Sequence, residues 1–274
     1  MKKIYYYILV FLAIALVLLF IAVRQIDDDA ASVTFFDIGQ GDSALIRKGS
    51  VQVVIDGGDN SRVIEELGER MPPWDHKIEM IILSHPHFDH FVGLIDIFQR
   101  YDVEKFVTTG ALETTEDFQV FLEAVRKENC EVVIADSSKD FRLSDINFDI
   151  LFPMRPLQFK DVYAKNLNNT SIVLKVSSSK VSVLFTGDAE KEVEEKLLEE
   201  NVDLGSDILK AGHHGSKTSS TEDFIKAVDP EKVIFSAGED NQFNHPTELI
   251  VDRFQDFGVE TLTTFEVGDV EVEL

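Results

Sequence analysis

The sequence predicts an α/β fold in which helices cover the outer faces of β-sheets. Three observations support this prediction. The chain has 274 residues, which is enough for one sizeable domain; 44% of them are hydrophobic; and strand-like apolar runs alternate with helical patterns along nearly the whole length. Strands that come in quick succession near the start favour two short sheets packed together with helices outside. Periodicity alone leaves a doubly wound sheet open.

The N-terminal segment is predicted to be a transmembrane anchor. Residues 4–23 contain no charge, glycine or proline, and at about 1.5 Å per residue a helix of this length spans roughly 30 Å, the thickness of the bilayer core. A cleaved signal peptide is the alternative, but this apolar run exceeds the usual length of about 7–15 residues. Lys2 and Lys3 precede the run and aspartates follow at 27–29, so residues 1–3 are expected in the cytoplasm and the rest of the chain outside it.

A linker at residues 24–31 leads into one predicted domain at residues 32–274. Short strands separated by glycine-containing turns come first, and strand-like runs then alternate with helical patterns. The predicted strands are Val33–Phe36, Ser43–Arg47, Gln52–Ile55, Met80–Leu83, Phe106–Thr108, Glu131–Ala135, Phe148–Phe152, Ser171–Val176, Val181–Thr186, Asp207–Lys210, Lys232–Ser236 and Val259–Thr264. The predicted helices are Arg62–Arg70, Val92–Arg100, Glu116–Lys127, Ala189–Glu200, Glu222–Val228 and Thr247–Phe257.

The charge balance limits the classes of partner. The chain has 26 basic and 50 acidic residues, a net charge of −24. Such a surface repels nucleic-acid backbones and anionic lipids over most of its area, so no basic nucleic-acid-binding face is expected. A metal site brings its own positive charge and is not excluded. The single cysteine, Cys130, excludes an internal disulfide and any cysteine-rich zinc module.

The histidines are concentrated. Five of the seven fall in the two motifs S-H-P-H-F-D-H and A-G-H-H-G-S, at His85, His87, His90, His213 and His214. In the first motif, two histidines that lie two residues apart on an extended loop can share a metal ion. Asp89 and the histidine that follows it can turn toward a second ion. Imidazole and carboxylate groups together suit Zn²⁺ and, with more oxygen ligands, Mn²⁺ or Fe²⁺.

Asp188 is a further candidate ligand. It lies in L-F-T-G-D-A-E directly after the predicted strand Val181–Thr186. A carboxylate has two oxygens, so it can bridge two metal ions. The alternative is a structural turn in which Asp188 caps the helix that begins at Ala189. The histidine loops follow strands in the same way, and polar ligands at the ends of several strands are how α/β scaffolds build active sites.

Taken together, the motifs resemble the metallo-β-lactamase-fold hydrolase superfamily, and within it the hydrolase domain of ComEC-like competence proteins. They occur in the family's order from near residue 33 almost to the C-terminus. The motifs are F-D-I-G-Q-G-D-S (Phe36–Ser43), V-I-D-G-G (Val54–Gly58), S-H-P-H-F-D-H (Ser84–His90), N-N-T-S-I-V-L (Asn168–Leu174), L-F-T-G-D (Leu184–Asp188), L-K-A-G-H-H-G-S (Leu209–Ser216) and F-N-H-P (Phe243–Pro246).

The resemblance implies an αββα sandwich with two divalent metal ions, Zn²⁺ or Mn²⁺, between the sheet edges. It implies first-ion ligands His85 and His87, second-ion ligands Asp89, His90 and one histidine of the 213–214 pair, a bridging ligand Asp188, and an orienting carboxylate Asp56. Many members have a third histidine for the first ion. This chain has Asn168-Asn169 there, and an amide oxygen is a poorer ligand.

Within the His213-His214 pair, His213 is the predicted ligand. Consecutive side chains that leave a strand point in opposite directions, and alignment with the superfamily pattern places His213 at the ligand position. His214 is then expected to face the substrate cleft or to orient a carboxylate. Asp42 and Asn169 are weaker candidates for metal binding or for orienting a ligand.

Three residues have predicted roles toward substrate. Asp89 is expected to orient the attacking water as well as to bind metal. His245, just before a predicted helix, is expected to protonate the leaving group or to hydrogen-bond a phosphate oxygen, with helix entry as the alternative. Lys217 either binds a substrate anion or lies on the rim of the site.

These observations predict a membrane-anchored, metal-dependent hydrolase that acts outside the cytoplasm. A phosphodiester substrate is preferred, and the resemblance implies nucleic acid. Because the chain is acidic, a short or single-stranded substrate held mainly at the metals is expected. The alternatives are lactone or amide hydrolysis on the same metals, or a surface module that binds metal without catalysis. The membrane channel of ComEC has many helices, whereas this chain has one predicted span. The resemblance therefore does not imply a role in DNA transport.

Overall fold

The structure is a computed structural model that describes residues 2–158 and 162–274, except for the side chains of residue 2 and residues 20–29. An N-terminal helix, α1, spans Lys2–Asp29. Within the described part of the chain, no helix is both long enough and apolar enough to cross a membrane. The anchor predicted at residues 4–23 is therefore not supported by the structure. Met1, and the side chains of the anchor's last four residues, lie outside the described part.

The first of two large sheets has the strand order β16-β1-β2-β3-β5-β7-β8. Strands β1, β2 and β3 form an antiparallel meander, and β5, β7 and β8 extend it in parallel. The strands are β1 (Ala31–Phe35), β2 (Ala44–Lys48), β3 (Val51–Ile55), β5 (Met80–Leu83), β7 (Lys105–Thr108), β8 (Glu131–Ile134) and β16 (Val270–Glu273). A separate pair consists of β4 (Lys77–Ile78) and β6 (Asp102–Val103).

The second large sheet has the order β15-β14-β13-β12-β11-β10-β9. Its strands are antiparallel from β9 to β12 and parallel from β12 to β15. They are β9 (Phe141–Leu143), β10 (Ile146–Phe152), β11 (Val173–Ser177), β12 (Ser182–Phe185), β13 (Ile208–Lys210), β14 (Lys232–Phe235) and β15 (Glu260–Thr263). The presence of two sheets excludes the doubly wound alternative.

Helices cover the outer face of each sheet. Helices α2 (Arg62–Arg70), α3 (Phe88–Arg100) and α4 (Glu116–Glu128) share a buried apolar cluster with the first sheet. Helices α5 (Lys191–Glu199), α6 (Glu222–Val228) and α7 (Glu248–Asp256) do the same with the second sheet, and a short α8 (Thr264–Val267) precedes β16. A third cluster, which includes Phe35 and Phe185 with rings stacked at 5.3 Å, fills the space between the sheets. The predicted αββα sandwich is confirmed.

The observed elements differ from the predicted ones mainly at edges and helix starts. Strand β16 was not predicted, because its short V-E-V-E sequence places acidic side chains on an edge strand. This strand pairs antiparallel with β1, and Ser32 faces Glu273. Helix α3 begins at Phe88 rather than at the predicted Val92, with His87 as its N-cap. The first turn of α3 therefore carries Asp89 and His90, which sets their direction toward the strand ends.

Candidate metal centre

Several loops that follow strand ends meet at one edge of the sandwich. Strand β5 of the first sheet leads into Ser84–His90, while β12 and β13 of the second sheet lead into Thr186–Asp188 and the 3₁₀ turn Gly212–Gly215. The two sheets therefore contribute polar groups to a single cluster, as expected for ligands placed at strand ends. A glycine makes one close approach possible: at Gly41, with φ of +119°, a Cβ would lie 2.1 Å from the carbonyl oxygen of Asp89.

One half of the cluster contains His85, His87 and Asp188. One potential ligand atom of each lies within 4.8 Å of the others. His85 Nε2 is 3.7 Å from Asp188 Oδ2, and the His85 and His87 rings have centroids 4.6 Å apart. His85 and Asp188 are buried, whereas His87 is half-buried. These three residues could hold one metal ion.

The other half contains Asp89, His90 and His214, again within 4.8 Å of one another. His214 Nε2 lies 3.3 Å from Asp89 Oδ2 and 3.5 Å from Asp188 Oδ1. His90 Nε2 lies 3.4 Å from the same Asp188 oxygen. The two oxygens of Asp188 therefore face different halves of the cluster, Oδ2 toward His85 and Oδ1 toward His90 and His214. This arrangement suits a carboxylate that bridges two ions.

Buried groups contact the Nδ1 atoms of His90 and His214. His90 Nδ1 is 2.9 Å from Asp56 Oδ2, and Asp56 also accepts hydrogen bonds from Ser84 N and Oγ at 2.7 and 2.6 Å. His214 Nδ1 is 2.8 Å from the carbonyl oxygen of Ser236 and 3.1 Å from Asp42 Oδ1. A donor bond from Nδ1 fixes the tautomer of the neutral ring, so each Nε2 can present its lone pair to a bound metal ion.

The atoms that face the cluster lack other partners. Four are buried and make no hydrogen bond within the described part of the chain: Nε2 of His85, His90 and His214, and Oδ1 of Asp188. Buried polar groups are nearly always paired, so four unpaired polar atoms at the centre of one cluster indicate a site for a bound ligand. Imidazole nitrogens and carboxylate oxygens are ligands for divalent transition metals, so these residues fit a centre of two ions.

The charges of the cluster also favour a bound cation. Burial opposes protonation of His214, but Asp188 and Asp42 outweigh it and raise its pKa to about 10. Burial likewise opposes protonation of His90, yet Asp188 and Asp56 raise its pKa well above the ordinary value. Burial disfavours the Asp188 carboxylate, but His214 and His90 hold its pKa well below the usual range. In the metal-free cluster, protons on histidines compensate the carboxylates.

We expect metal uptake to release protons at neutral pH from His90 and His214. The neighbouring carboxylates raise both pKa values and so favour the protonated rings, whereas only neutral imidazole binds metal. Metal affinity should therefore fall as the pH is lowered. Calorimetric titration with Zn²⁺ or Mn²⁺ in two buffers of different ionisation enthalpy measures the release. Equal heats in both buffers would contradict it.

The two adjacent histidines are placed differently from the prediction. His214, not His213, faces Asp89 and His90. His213 is on the other side of Asp188, with Nε2 3.8 Å from Oδ2, and its Nδ1 lies 3.2 Å from Thr218 Oγ1. The prediction assumed strand-like alternation. Both residues instead have left-handed backbone conformations, with φ of 49° and 54°, so both rings turn toward Asp188 from different sides.

Comparison with known proteins identifies the family of the chain. Residues 36–238 match the family described as the Metallo-beta-lactamase superfamily. The chain belongs to this superfamily. The matched range contains both halves of the cluster and their orienting carboxylates, and it ends before His245.

Among curated proteins, the chain is similar to members of the ComEC-like competence branch. It is 29% identical to ComE operon protein 3 of Bacillus subtilis over 87% of this chain and 32% of that protein. It is also 29% identical to competence protein ComA of Neisseria gonorrhoeae over 92% of this chain and 33% of that protein. The chain therefore spans about a third of the length of these relatives.

Solved structures support the fold. The metallo-beta-lactamase fold protein YhfI of Bacillus subtilis superposes with a TM-score of 0.58, at 12% identity, over 88% of this chain and all of YhfI. This likeness shows that the metallo-β-lactamase architecture covers nearly the whole chain.

The remaining predicted site residues of this metallo-β-lactamase domain lie outside the buried cluster. Asn169 bonds to Glu190 N through Oδ1 at 3.0 Å and to Glu192 through Nδ2 at 3.2 Å, so its amide is engaged away from the cluster. Its neighbour Asn168 instead has a buried Oδ1 without a hydrogen-bond partner in the described residues. Lys217 is exposed on the loop after His214.

His245 lies at the edge of the cluster. Its ring is half-buried, with the centroid 5.4 Å from that of His213. Burial, together with His213 and His214, lowers the pKa of His245 to about 4. The ring is therefore neutral near pH 7, and it is placed to donate or accept a hydrogen bond rather than to carry a proton as imidazolium.

Lys210 is a site residue that sequence reasoning missed. It ends β13, and its side chain is 3% exposed, with Nζ bonded to Asp42 Oδ2. Asp42 in turn contacts His214 Nδ1, so Lys210 supports the carboxylate that orients a cluster histidine. The available signal was a lysine in an otherwise apolar, buried strand, since lysine is almost never fully buried unless it is paired.

Replacing Lys210 with methionine should destabilise the metal-free protein by about 3–5 kcal/mol, because the buried Asp42 carboxylate loses its partner. The double variant Lys210→Met/Asp42→Asn removes both charges and should recover most of that free energy of unfolding. Urea unfolding of the metal-free proteins measures both values. If the single and double variants are equally destabilised, the Lys210–Asp42 pair is not responsible.

Proposed function

We propose that this domain is a metal-dependent hydrolase that cleaves phosphodiester bonds with two divalent ions. The observation that carries the proposal is the buried cluster in which the two oxygens of Asp188 face separate groups of histidine ligands. His85, His87 and Asp188 would hold one ion. Asp89, His90, His214 and Asp188 would hold the other.

The protein's own residues prepare this site for hydrolysis. Two bound divalent ions lower the pKa of a water toward neutrality and neutralise negative charge on the leaving oxygen. Asp56 holds the ring of His90, and the carbonyl oxygen of Ser236, with Asp42 beside it, holds the ring of His214, so that both Nε2 atoms face inward. The Asp89 side chain is 24% exposed, so one carboxylate at the cluster remains open to water and substrate and can orient both. His245 supplies a neutral imidazole that can hydrogen-bond a phosphate oxygen.

A phosphodiester is favoured over a lactone or an amide by the relatives. The chain is similar to a competence protein of Neisseria gonorrhoeae and to a recombination protein of Haemophilus influenzae, and these names favour a nucleic-acid substrate. The net charge of −24 opposes binding of a long backbone. A short or single-stranded substrate, held mainly at the ions, satisfies both observations.

A substrate panel tests the proposal. The full chain, loaded separately with Zn²⁺ and with Mn²⁺, is assayed on a chromogenic phosphodiester, a single-stranded oligodeoxynucleotide, a lactone and an amide. We expect turnover of the phosphodiesters that is abolished in His87→Ala while the circular dichroism spectrum is retained. Turnover of only the lactone or the amide would assign the alternative hydrolase. Binding of two ions without turnover of any substrate would favour a non-catalytic metal-binding module.

Attachment to a membrane, with the catalytic domain outside the cytoplasm, stays a prediction from the sequence. It depends on the uncharged run at residues 4–23 and on the charges that flank it. Protease added to intact cells should degrade the domain. Protection until the cells are lysed would contradict the predicted topology.

A further inference from the structure

Three rings form a nearly parallel series that leads from the cluster to solvent. The His214 and His245 rings have centroids 6.5 Å apart and planes 25° apart, and the His245 and Phe243 rings have centroids 5.7 Å apart and planes 24° apart. Exposure increases along the series: His214 is buried, His245 is half-buried and Phe243 is 53% exposed. The outermost ring thus presents an apolar face to solvent beside the site.

The loop that carries this exposed ring is held in place by one side chain. Asn241 Oδ1 accepts hydrogen bonds from Phe243 N at 3.2 Å and from His245 N at 2.9 Å. Asn241 Nδ2 donates to the carbonyl oxygens of Gly238 at 2.8 Å and His245 at 2.6 Å. A single exposed aromatic residue needs no explanation on its own, but the backbone that carries this ring is held by Asn241, and the ring is stacked on His245 at the edge of the site.

The surroundings of Phe243 limit what it can bind. Glu239 and Asp240, on the same loop, are exposed and acidic, so this part of the rim repels a phosphate backbone. An aromatic face attracts planar apolar groups without needing positive charge. Nucleobases stack on exposed aromatic side chains in this way, with little dependence on sequence, when they are unpaired.

We propose that Phe243 is the stacking platform for an unpaired nucleobase of the substrate whose phosphate lies at the cluster. This inference rests on the proposed phosphodiesterase function, and it specifies the substrate class as single-stranded nucleic acid. His245 supports the inner face of the Phe243 ring, and Asn241 holds the loop. In a duplex the bases are stacked on each other and do not reach this ring, so single strands are preferred over duplexes of the same sequence.

Two matched probes test the platform: a short single-stranded oligodeoxynucleotide, and the same strand with abasic sites throughout. In the metal-loaded full chain, Phe243→Ala should raise KM for the base-bearing strand about tenfold, leave kcat within about twofold, and leave KM for the abasic strand unchanged. Phe243→Tyr should behave as wild type, and all variants should retain their metal. The control is Trp74→Ala: Trp74 is 82% exposed but precedes the amino end of β5, opposite the end that carries the cluster.

Binding of the same two probes, measured by fluorescence anisotropy, separates failure of the platform from failure of the proposed activity. If Phe243→Ala binds the base-bearing strand ten times more weakly and the abasic strand as before, stacking is supported, whether or not the protein cleaves either strand. If the wild-type protein cleaves neither strand, only the phosphodiesterase proposal is overturned. Equal changes for both strands, or no change for the base-bearing strand in either KM or affinity, would overturn the platform.

Discussion

Replacing Asp188 with asparagine is expected to lower kcat/KM for a phosphodiester on the order of 10³-fold and to lower metal content below one ion per chain. Asp188 is the residue whose two oxygens reach both halves of the cluster, at 3.7 Å from His85 Nε2 and 3.4 Å from His90 Nε2. An amide retains the shape of the side chain but loses the charge and one of the two acceptor oxygens. One ion therefore loses its oxygen ligand and the other keeps only a neutral amide oxygen, so a single substitution weakens both sites.

Asp240→Asn is the matched control for Asp188→Asn, because Asp240 is an exposed aspartate on the rim of the same site. It should keep the wild-type metal content and kcat. Metal analysis by mass spectrometry and a steady-state assay give the two readouts, and circular dichroism checks the fold. Wild-type metal content in a folded Asp188→Asn variant would show that Asp188 does not bridge.

The second large effect distinguishes two adjacent histidines. His214→Ala should lower metal content toward one ion per chain and the rate about 100-fold, whereas His213→Ala should keep both ions and lose less than about 10-fold. His214 is buried with Nε2 3.3 Å from Asp89 and Nδ1 bonded to Ser236, while the side chain of His213 is 23% exposed. The geometry therefore favours His214 as the ligand, whereas alternation along a strand predicts His213.

These two substitutions control for each other. Both positions have left-handed backbone conformations, with φ of 49° and 54°. Substitution by alanine should therefore change the backbone strain by a similar amount at each position. A difference in metal content between the variants therefore reports the side chains. If His213→Ala loses an ion and His214→Ala retains both, the assignment from the strand pattern is correct and the one from the structure is wrong.

Much of the fold was predictable from the sequence because its determinants are local. Apolar runs such as Met80–Leu83 fill buried strands, and the glycine-containing turns separate the first three strands. Edge strand β16 was missed because alternating valine and glutamate is a weak signal until pairing with β1 is known. The division of the strands into two sheets was not predictable from periodicity, because it depends on pairing between strands that are far apart in the sequence.

The candidate site was predictable as a set of residues but not as a set of contacts. Motif spacing indicated His85, His87, Asp89, His90 and Asp188, which the structure brings together in one buried cluster. It did not reveal the left-handed turn at His213 and His214, because non-glycine residues rarely adopt positive φ. Nor did it reveal Lys210, whose partner Asp42 is 168 positions away in the chain.

The most direct test of the account is a crystal structure of the metal-loaded protein with data collected on both sides of the absorption edge of the bound metal. Anomalous difference maps locate metal ions without reference to assumed ligands. We predict two peaks, one on each side of the Asp188 carboxylate, the first beside His85 and His87 and the second beside Asp89, His90 and His214. No peak within this cluster, or a single peak that Asp188 does not contact, would contradict the two-ion centre on which the proposed function depends.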